Sequence, residues 1–147
     1  MREILFKGKR KDNGEWVEGD LFHNDNTNYP MTLIGSLILS RNKYTDEIDI
    51  DGYCLIEVDP ETVCQYTGLK DRNGKKIFEG DIVDTVYDIE YIGVAAKRIG
   101  KSVVKFHKGC FMKDKIGEAG LFHFIASDKE KVIGNIFDNP ELLEVTE

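Results

Sequence analysis

KDRNGKKIFEGDIV, residues 70–83, is almost a repeat of KDNGEWVEGDLF, residues 11–22. In each stretch an Asn-Gly dipeptide, which favours the tight turn of a β-hairpin, precedes an apolar–Glu-Gly-Asp–apolar run. A glycine within a strand is typical of a bulge or of a close approach by another backbone. The two stretches therefore predict two similar bent hairpins. The positions that carry this prediction are Asn13, Gly14, Gly19, Asn73, Gly74 and Gly80.

The two copies differ by one residue in the spacing between the turn and Glu-Gly-Asp, and the rest of the chain does not repeat. We therefore interpret the similarity of the two stretches as one structural device used twice and not as a duplicated domain. Strand alternation would place the glutamate and the aspartate of each copy on the outer face of the sheet.

Short strands are indicated elsewhere in the chain as well. Residues 101–113 read as two strands that meet near Lys108 and Gly109, and residues 131–137 form a run rich in β-branched residues. Short helices are predicted only near Pro60 and Pro140, where an Asp or Asn precedes the proline. Because no long amphipathic helix is present, the sequence predicts a mainly β fold and excludes helix bundles and doubly wound α/β folds.

Composition restricts the class of protein further. The 147 residues carry a formal net charge of −7 and include no apolar run long enough to span a bilayer. The charged N-terminal residues do not resemble a secretory signal, so a cytoplasmic location is expected. Cys54, Cys64 and Cys110 are too widely spaced for a local metal clip or a disulfide framework, and we expect them to be reduced and mostly buried.

Three stretches in this order resemble the YopX family of bacteriophage and prophage proteins. They are ILFKGKRKDNGEWVEGDLF at residues 4–22, DPETVCQYTGLKDRNGKKIFEGDIV at residues 59–83 and VIGNIFDNPELL at residues 132–143. Cys64 departs from the family pattern, which more often has glycine at this position. The resemblance implies an SH3-like β-barrel over residues 59–147, preceded by an N-terminal β region over residues 1–58. It implies no catalytic residue, because the family has no assigned biochemical function.

Candidate chemistry is weak in the rest of the sequence. Residues 47–58 resemble a calcium-binding loop, but its twelfth position is Val58 where a bidentate glutamate is needed. We interpret this stretch as an acidic strand with Ile48 and Ile50 pointing inward and Asp49 and Asp51 pointing outward. Neither a nucleophile motif nor a phosphate-binding loop nor a metal-ligand spacing is recognisable, so the sequence predicts no catalytic residue, no metal and no cofactor.

A basic stretch, residues 97–113, contains six lysines and arginines and no acidic residue. Cations with interleaved aromatic side chains could follow a nucleic-acid backbone and stack on bases. The candidate residues are Lys97, Arg98, Lys101, Lys105, Phe106 and Lys108. The alternative is a contact with the acidic residues 25–68, within the chain or between subunits.

The sequence therefore predicts an accessory protein of a phage or prophage that acts in the host cytoplasm by binding and not by catalysis. Exposed strand edges and segregated charge favour self-association into a ring or dimer, with a host or phage protein as a second candidate partner. The alternative function is nucleic-acid binding through the basic stretch.

Overall fold

The computed structural model describes residues 1–25, 28–87, 97–118 and 120–145, without the side chains of residues 87 and 97–99. Strands and short 3₁₀ helices make up its regular structure in these ranges, which confirms the mainly β fold. The 3₁₀ helices comprise Pro60–Thr62, Ser127–Lys129 and Pro140–Leu143. The first and last of these lie at the predicted prolines, and the Asp59 carboxylate caps the first by accepting the Glu61 N–H at 3.0 Å.

The chain divides into two compact units, Met1–Gln65 and Tyr66–Glu147. The domain boundary predicted between residues 58 and 59 falls before this division. The first unit contains strands β1 (Phe6–Lys9), β2 (Trp16–Asn24), β3 (Met31–Arg41) and β4 (Ile48–Glu57), paired antiparallel in the order β4-β3-β2-β1. The first residues of β5 (Cys64–Lys70) also pair with β1.

The second unit contains the rest of β5 and six further strands. They are β6 (Lys76–Phe78), β7 (Asp81–Tyr87), β8 (Lys97–His107), β9 (Cys110–Lys115), β10 (Phe122–His123) and β11 (Glu130–Asn135). β7 to β11 form an antiparallel sheet in the order β10-β9-β8-β7-β11. Val83, Val104 and Val132 on this sheet form a buried core cluster with Ile77 of β6. Because the sheet ends on different strands, no sheet closes into a barrel within the described ranges, and the SH3-like barrel stays a prediction.

Both Asn-Gly dipeptides lie in hairpin turns, one between β1 and β2 and one between β5 and β6. Positive φ occurs at Gly14 (+73°) and Gly74 (+82°) but not at the preceding asparagines, so the two-residue turn expected from the dipeptide is wrong. The backbone bonds span longer loops, from Arg10 to Glu15 and from Asp71 to Lys75.

The two Glu-Gly-Asp copies have different structures, and the prediction that they repeat one device is wrong. Gly19 lies inside β2, where an added Cβ would approach the Gly35 carbonyl oxygen to 2.6 Å. Gly80 has a φ of +82° and turns the chain between β6 and β7. Asp81 is therefore not outward: it is 2% exposed and accepts the Phe78 N–H at 2.8 Å. Glu79 is half-buried, and this burial raises its pKa.

Asp71 fixes the turn between β5 and β6. Its side chain is buried, and its Oδ1 accepts the N–H groups of Asn73 and Lys75 at 2.9 Å each. Its Oδ2 accepts the N–H of Val132 at 3.0 Å and so ties the turn to β11. Burial on its own would raise the pKa of Asp71, but these three N–H groups and the nearby Lys75 outweigh it and lower the pKa.

The structure predicts that Asp71→Asn is destabilising, because an amide oxygen and an NH₂ group cannot accept all three buried N–H groups. The expected loss in the free energy of unfolding is about 1–3 kcal/mol at neutral pH, measured by urea titration with circular dichroism. The folded-state pKa lies below the unfolded value of about 3.9. The carboxylate therefore stabilises the fold fully above that value, and this contribution is lost as the pH falls through the folded-state pKa.

The pH dependence of the free energy of unfolding gives a second test of the role of Asp71. In the variant, the fall in stability below about pH 4 should be smaller than in the unmodified protein. Equal acid sensitivity of the two proteins would show that Asp71 does not contribute in this way.

Gly35 on β3 gives a second prediction, because a Cβ at this position would lie 1.8 Å from the Cys54 carbonyl oxygen on β4. Gly35→Ala should therefore separate β3 from β4 and destabilise the first unit by at least about 1–3 kcal/mol. Gly52→Ala is the control, since its added Cβ would meet only the end of the Ile38 side chain at 3.6 Å. Trp16, the single tryptophan, lies on β2 and reports unfolding of this unit by fluorescence. Equal midpoints for the two variants would contradict the prediction.

Candidate functional site

The basic stretch does not form one surface. β8 ends at His107 and β9 begins at Cys110, as predicted. Lys101 and Lys105 lie on one face of β8, opposite Asp84 and Met112 on the neighbouring strands. Phe106 points to the other face, because successive residues of a strand alternate. Lys108 lies in the turn with a φ of +47°, and the side chains of Lys97 and Arg98 lie outside the described residues.

Two of the lysines in the stretch are neutralised by carboxylates. The Lys105 Nζ lies 2.6 Å from Asp114 Oδ2 on β9. Lys113 is buried, with its Nζ 2.6 Å from Glu130 Oε1 and 2.9 Å from Thr85 Oγ1. Nucleic-acid binding through this stretch stays a prediction, but the described contacts leave fewer free cations than the sequence suggests.

Lys113 and Glu130 form a closed polar group in the core of the second unit. The two side chains are 4% and 0% exposed. Thr85 Oγ1 accepts from Lys113 and donates to Glu130 Oε2 at 2.7 Å, and Glu130 Oε1 also accepts the Ala126 N–H at 3.1 Å. A buried ion pair is stable only if its remaining polar atoms are also bonded. This group is structural, and its location away from solvent makes it unsuitable for binding a ligand.

Several exposed apolar side chains lie together on β3 and β4. β2 pairs with β3 only as far as Gly35, so that the described part of β3 beyond this residue pairs with β4 alone. We call residues 37–53 the ribbon. Direct pairing places Leu37 opposite Tyr53 and Leu39 opposite Ile50, on the same face as Ile48. We call these five side chains the apolar face of the ribbon.

This apolar face is open to solvent in the single chain. Ile48, Ile50 and Tyr53 are 62%, 65% and 73% exposed, and Leu39 is 55% exposed. The inward orientation predicted for Ile48 and Ile50 is therefore wrong. The alternation of residues 47–51 showed that the two isoleucines share a face, but alternation contains no information on whether a second layer covers that face.

Acidic side chains flank the apolar face. Asp46 pairs with Arg41 at 3.1 Å in the turn of the ribbon. Glu47, Asp49 and Asp51 are exposed and make no ion pair with any residue that the structure describes. Asp49 pairs with Ser40 and so points to the face opposite Ile48 and Ile50. Glu47 and Asp51, which adjoin these isoleucines in sequence, give the apolar face a negative rim, a combination that favours a partner with apolar and basic groups.

The described residues contain neither a metal-binding cluster nor a membrane-spanning helix. Within the described ranges, no group of three or more His, Cys, Asp or Glu side chains could hold a metal ion. Cys64 is buried, whereas Cys54 and Cys110 are exposed, so the expectation of mostly buried cysteines is wrong. Among the described residues, none of the helices has the length and apolar character to cross a membrane.

Comparison with known protein families identifies the family of this chain. The family model described as YopX protein matches residues 5–144. The chain belongs to the YopX family. This confirms the resemblance of the three sequence stretches, and it leaves the biochemical function open.

One solved structure is similar to this chain over almost its whole length. The crystal structure of protein EF1440 from Enterococcus faecalis has 27% sequence identity and a TM-score of 0.58, covering 98% of this chain and 100% of that chain. No curated protein matches this YopX-family chain. The similarity supports the arrangement of strands described above.

The buried pair gives a prediction for this YopX-family fold. Lys113→Met should destabilise the second unit by about 3–5 kcal/mol, because it leaves the Glu130 carboxylate buried without a cation. The double variant Lys113→Met with Glu130→Leu should lose less than the sum of the two single variants. Urea unfolding followed by circular dichroism measures both.

Lys108→Met is the control, since Lys108 is exposed and makes no ion pair with the described residues. It should change the free energy of unfolding by no more than about 0.5 kcal/mol. A similar small effect for Lys113→Met would show that the buried pair does not stabilise the fold.

Proposed function

We propose that this protein is a phage- or prophage-encoded accessory protein that acts in the host cytoplasm as a non-enzymatic binding module. Its first partner is a second copy of itself, and the ribbon is the element that makes the contact. The observation that carries the proposal is the apolar face of the ribbon, on which Leu39, Ile48, Ile50 and Tyr53 are exposed and Leu37 is half-buried.

The size of this face supports a binding role. Four side chains that are more than half exposed offer about 400 Å² of apolar surface, which is the size of the largest patch on a typical monomer and is often functional. Patches of this kind with a polar rim mark protein contacts more often than they mark small-molecule sites. The acidic rim of the ribbon fits that description.

The instability of an isolated hairpin supports the same conclusion. A two-stranded hairpin on its own is at best marginally stable in water, and it needs a third strand or another packed layer for stability. Beyond Gly35 the ribbon has neither among the described residues of the single chain. A second copy that covers the apolar face would supply the missing layer.

The SH3-like barrel expected over residues 59–147 belongs to this proposal. The antiparallel sheet of β7 to β11 and the β5–β6 hairpin support it, since small barrels of this class are built from short antiparallel strands. In this proposal the barrel is a scaffold, and the first unit presents the ribbon.

Sedimentation velocity over a range of protein concentrations tests the proposal. The unmodified protein should associate, and the variant Leu39→Asp with Ile50→Asp should sediment as a monomer, because two carboxylates would have to be buried in the contact. The expected loss of association is at least about a hundredfold, as for two central interface residues.

Ile38→Asp is the matched control. Ile38 is 58% exposed, close to the 55% of Leu39, but pairing with Gly52 places it on the opposite face of the ribbon. This variant should associate as the unmodified protein does. Either a monomeric unmodified protein at every concentration or unchanged association of the Leu39→Asp, Ile50→Asp variant would overturn the proposal.

A further inference from the structure

A set of exposed cations lies around the turn between β5 and β6. We call Lys70, Arg72, Lys75 and Lys131 the basic cluster; all four are exposed. The sequence of residues 70–75 indicates a turn and shows no connection with Lys131. The signal was present in the sequence as KDRNGKK, but Lys131 joins the cluster only through the fold.

Backbone contacts bring the members of the cluster together. The Arg72 N–H donates to the Glu130 carbonyl at 3.0 Å, and Asp71 accepts the N–H of Val132. These two bonds hold the turn on either side of Lys131. Ser127 also bonds to the Lys70 carbonyl oxygen. The cluster is therefore a fixed part of the second unit.

Two of the acidic groups beside the cluster already have other partners. Asp71 accepts three backbone N–H groups, and Glu130 is buried against Lys113. None of the four cations makes an ion pair with a described residue. Asp84 on β7 lies directly opposite Lys131 and places a carboxylate beside that lysine, so the excess positive charge of the cluster is carried by Lys70, Arg72 and Lys75.

The pairing of β5 with β6 adds a cost that packing does not explain. Lys70 lies directly opposite Lys76, and like charges at directly opposite positions destabilise an antiparallel pair. Lys76 also lies over the ring of Tyr66, 5.5 Å from its centroid. Charge concentrated in this way attracts an oppositely charged partner and raises its local concentration.

We propose that the basic cluster is the surface that receives the ribbon of a second copy, a conclusion that rests on the proposed self-association. The ribbon has exposed carboxylates at Glu47 and Asp51, which adjoin Ile48 and Ile50 in sequence, and the cluster offers cations of opposite sign. Leu69, 38% exposed, and the aliphatic stems of the lysines offer apolar surface to Ile48 and Ile50. Both surfaces are exposed, so each is accessible to a second copy.

The chain's own charge favours this occupant over nucleic acid. A net charge of −7 repels a polyanion as a whole, whereas the ribbon brings a few carboxylates together with apolar side chains. Because the ribbon and the cluster are different surfaces, the contact is heterologous. Heterologous contacts between identical chains close into a ring or continue as a filament.

Charge reversal with sedimentation velocity tests this inference. The ribbon variant Glu47→Lys with Asp51→Lys and the cluster variant Lys70→Glu with Lys75→Glu should each weaken association by at least about tenfold. An equimolar mixture of the two should associate again, because the reversed ribbon fits the reversed cluster. Association of the unmodified protein should also weaken as salt is raised from about 50 mM to about 500 mM.

Lys108→Glu is the control for a charge change in a hairpin turn outside the cluster, and it should associate normally. Circular dichroism checks that each variant is folded. If the unmodified protein associates and the cluster variant does so equally well, this inference is wrong while the proposed function stands. If the unmodified protein is monomeric, the proposed function itself fails.

Fluorescence anisotropy with a labelled DNA duplex tests whether the basic cluster binds nucleic acid instead of the ribbon. Binding that the Lys70→Glu, Lys75→Glu variant loses, with its self-association unchanged, would assign the cluster to nucleic acid and overturn the inference. Failure of the mixed variants to associate would also overturn it.

Discussion

The carboxylate of Glu130 is the buried group on which the arrangement of the second unit depends. Its two oxygens bond to Lys113 on β9, to Thr85 on β7 and to the backbone of Ala126, so it ties three parts of the unit together. A buried charge is costly unless every one of its polar atoms is satisfied. The strands therefore have little freedom to shift in register around it.

The same residue also determines the location of the basic cluster. The backbone carbonyl of Glu130 accepts the Arg72 N–H. Two residues further along β11, the Val132 N–H donates to the Asp71 carboxylate. The side chain of Glu130 is thus directed to the core while its backbone holds the turn that carries the exposed cations. One short segment of β11 joins the internal polar network to the surface.

The sequence predicted those features that depend on local chemistry. The mainly β fold, the hairpins at the two Asn-Gly dipeptides, the turn after His107 and the short helices at Pro60 and Pro140 all follow from turn residues, caps and alternation. The family resemblance was carried by stretches of this kind. Local patterns were sufficient for the elements and for the family.

The features that the sequence did not predict correctly depend on contacts between distant residues. In sequence, Lys113 resembles the exposed lysines Lys105 and Lys108 of the basic stretch, and only the fold places it against Glu130. Asp81 resembles Asp20 in sequence, but the turn at Gly80 buries it. Ile48 and Ile50 alternate as core residues do, and nothing local shows that no second layer lies over them. The candidate site was missed for this last reason.

The ribbon links stability to binding. Close packing at Gly19 and Gly35 anchors its base to β2, but the residues beyond Gly35 have only the pairing of β3 with β4. A partner that binds the ordered ribbon and not the disordered one stabilises it by mass action. If that partner is a second copy, the order of the ribbon increases with protein concentration. The exposed apolar side chains that make the ribbon weak in isolation are then the groups that make it a binding element.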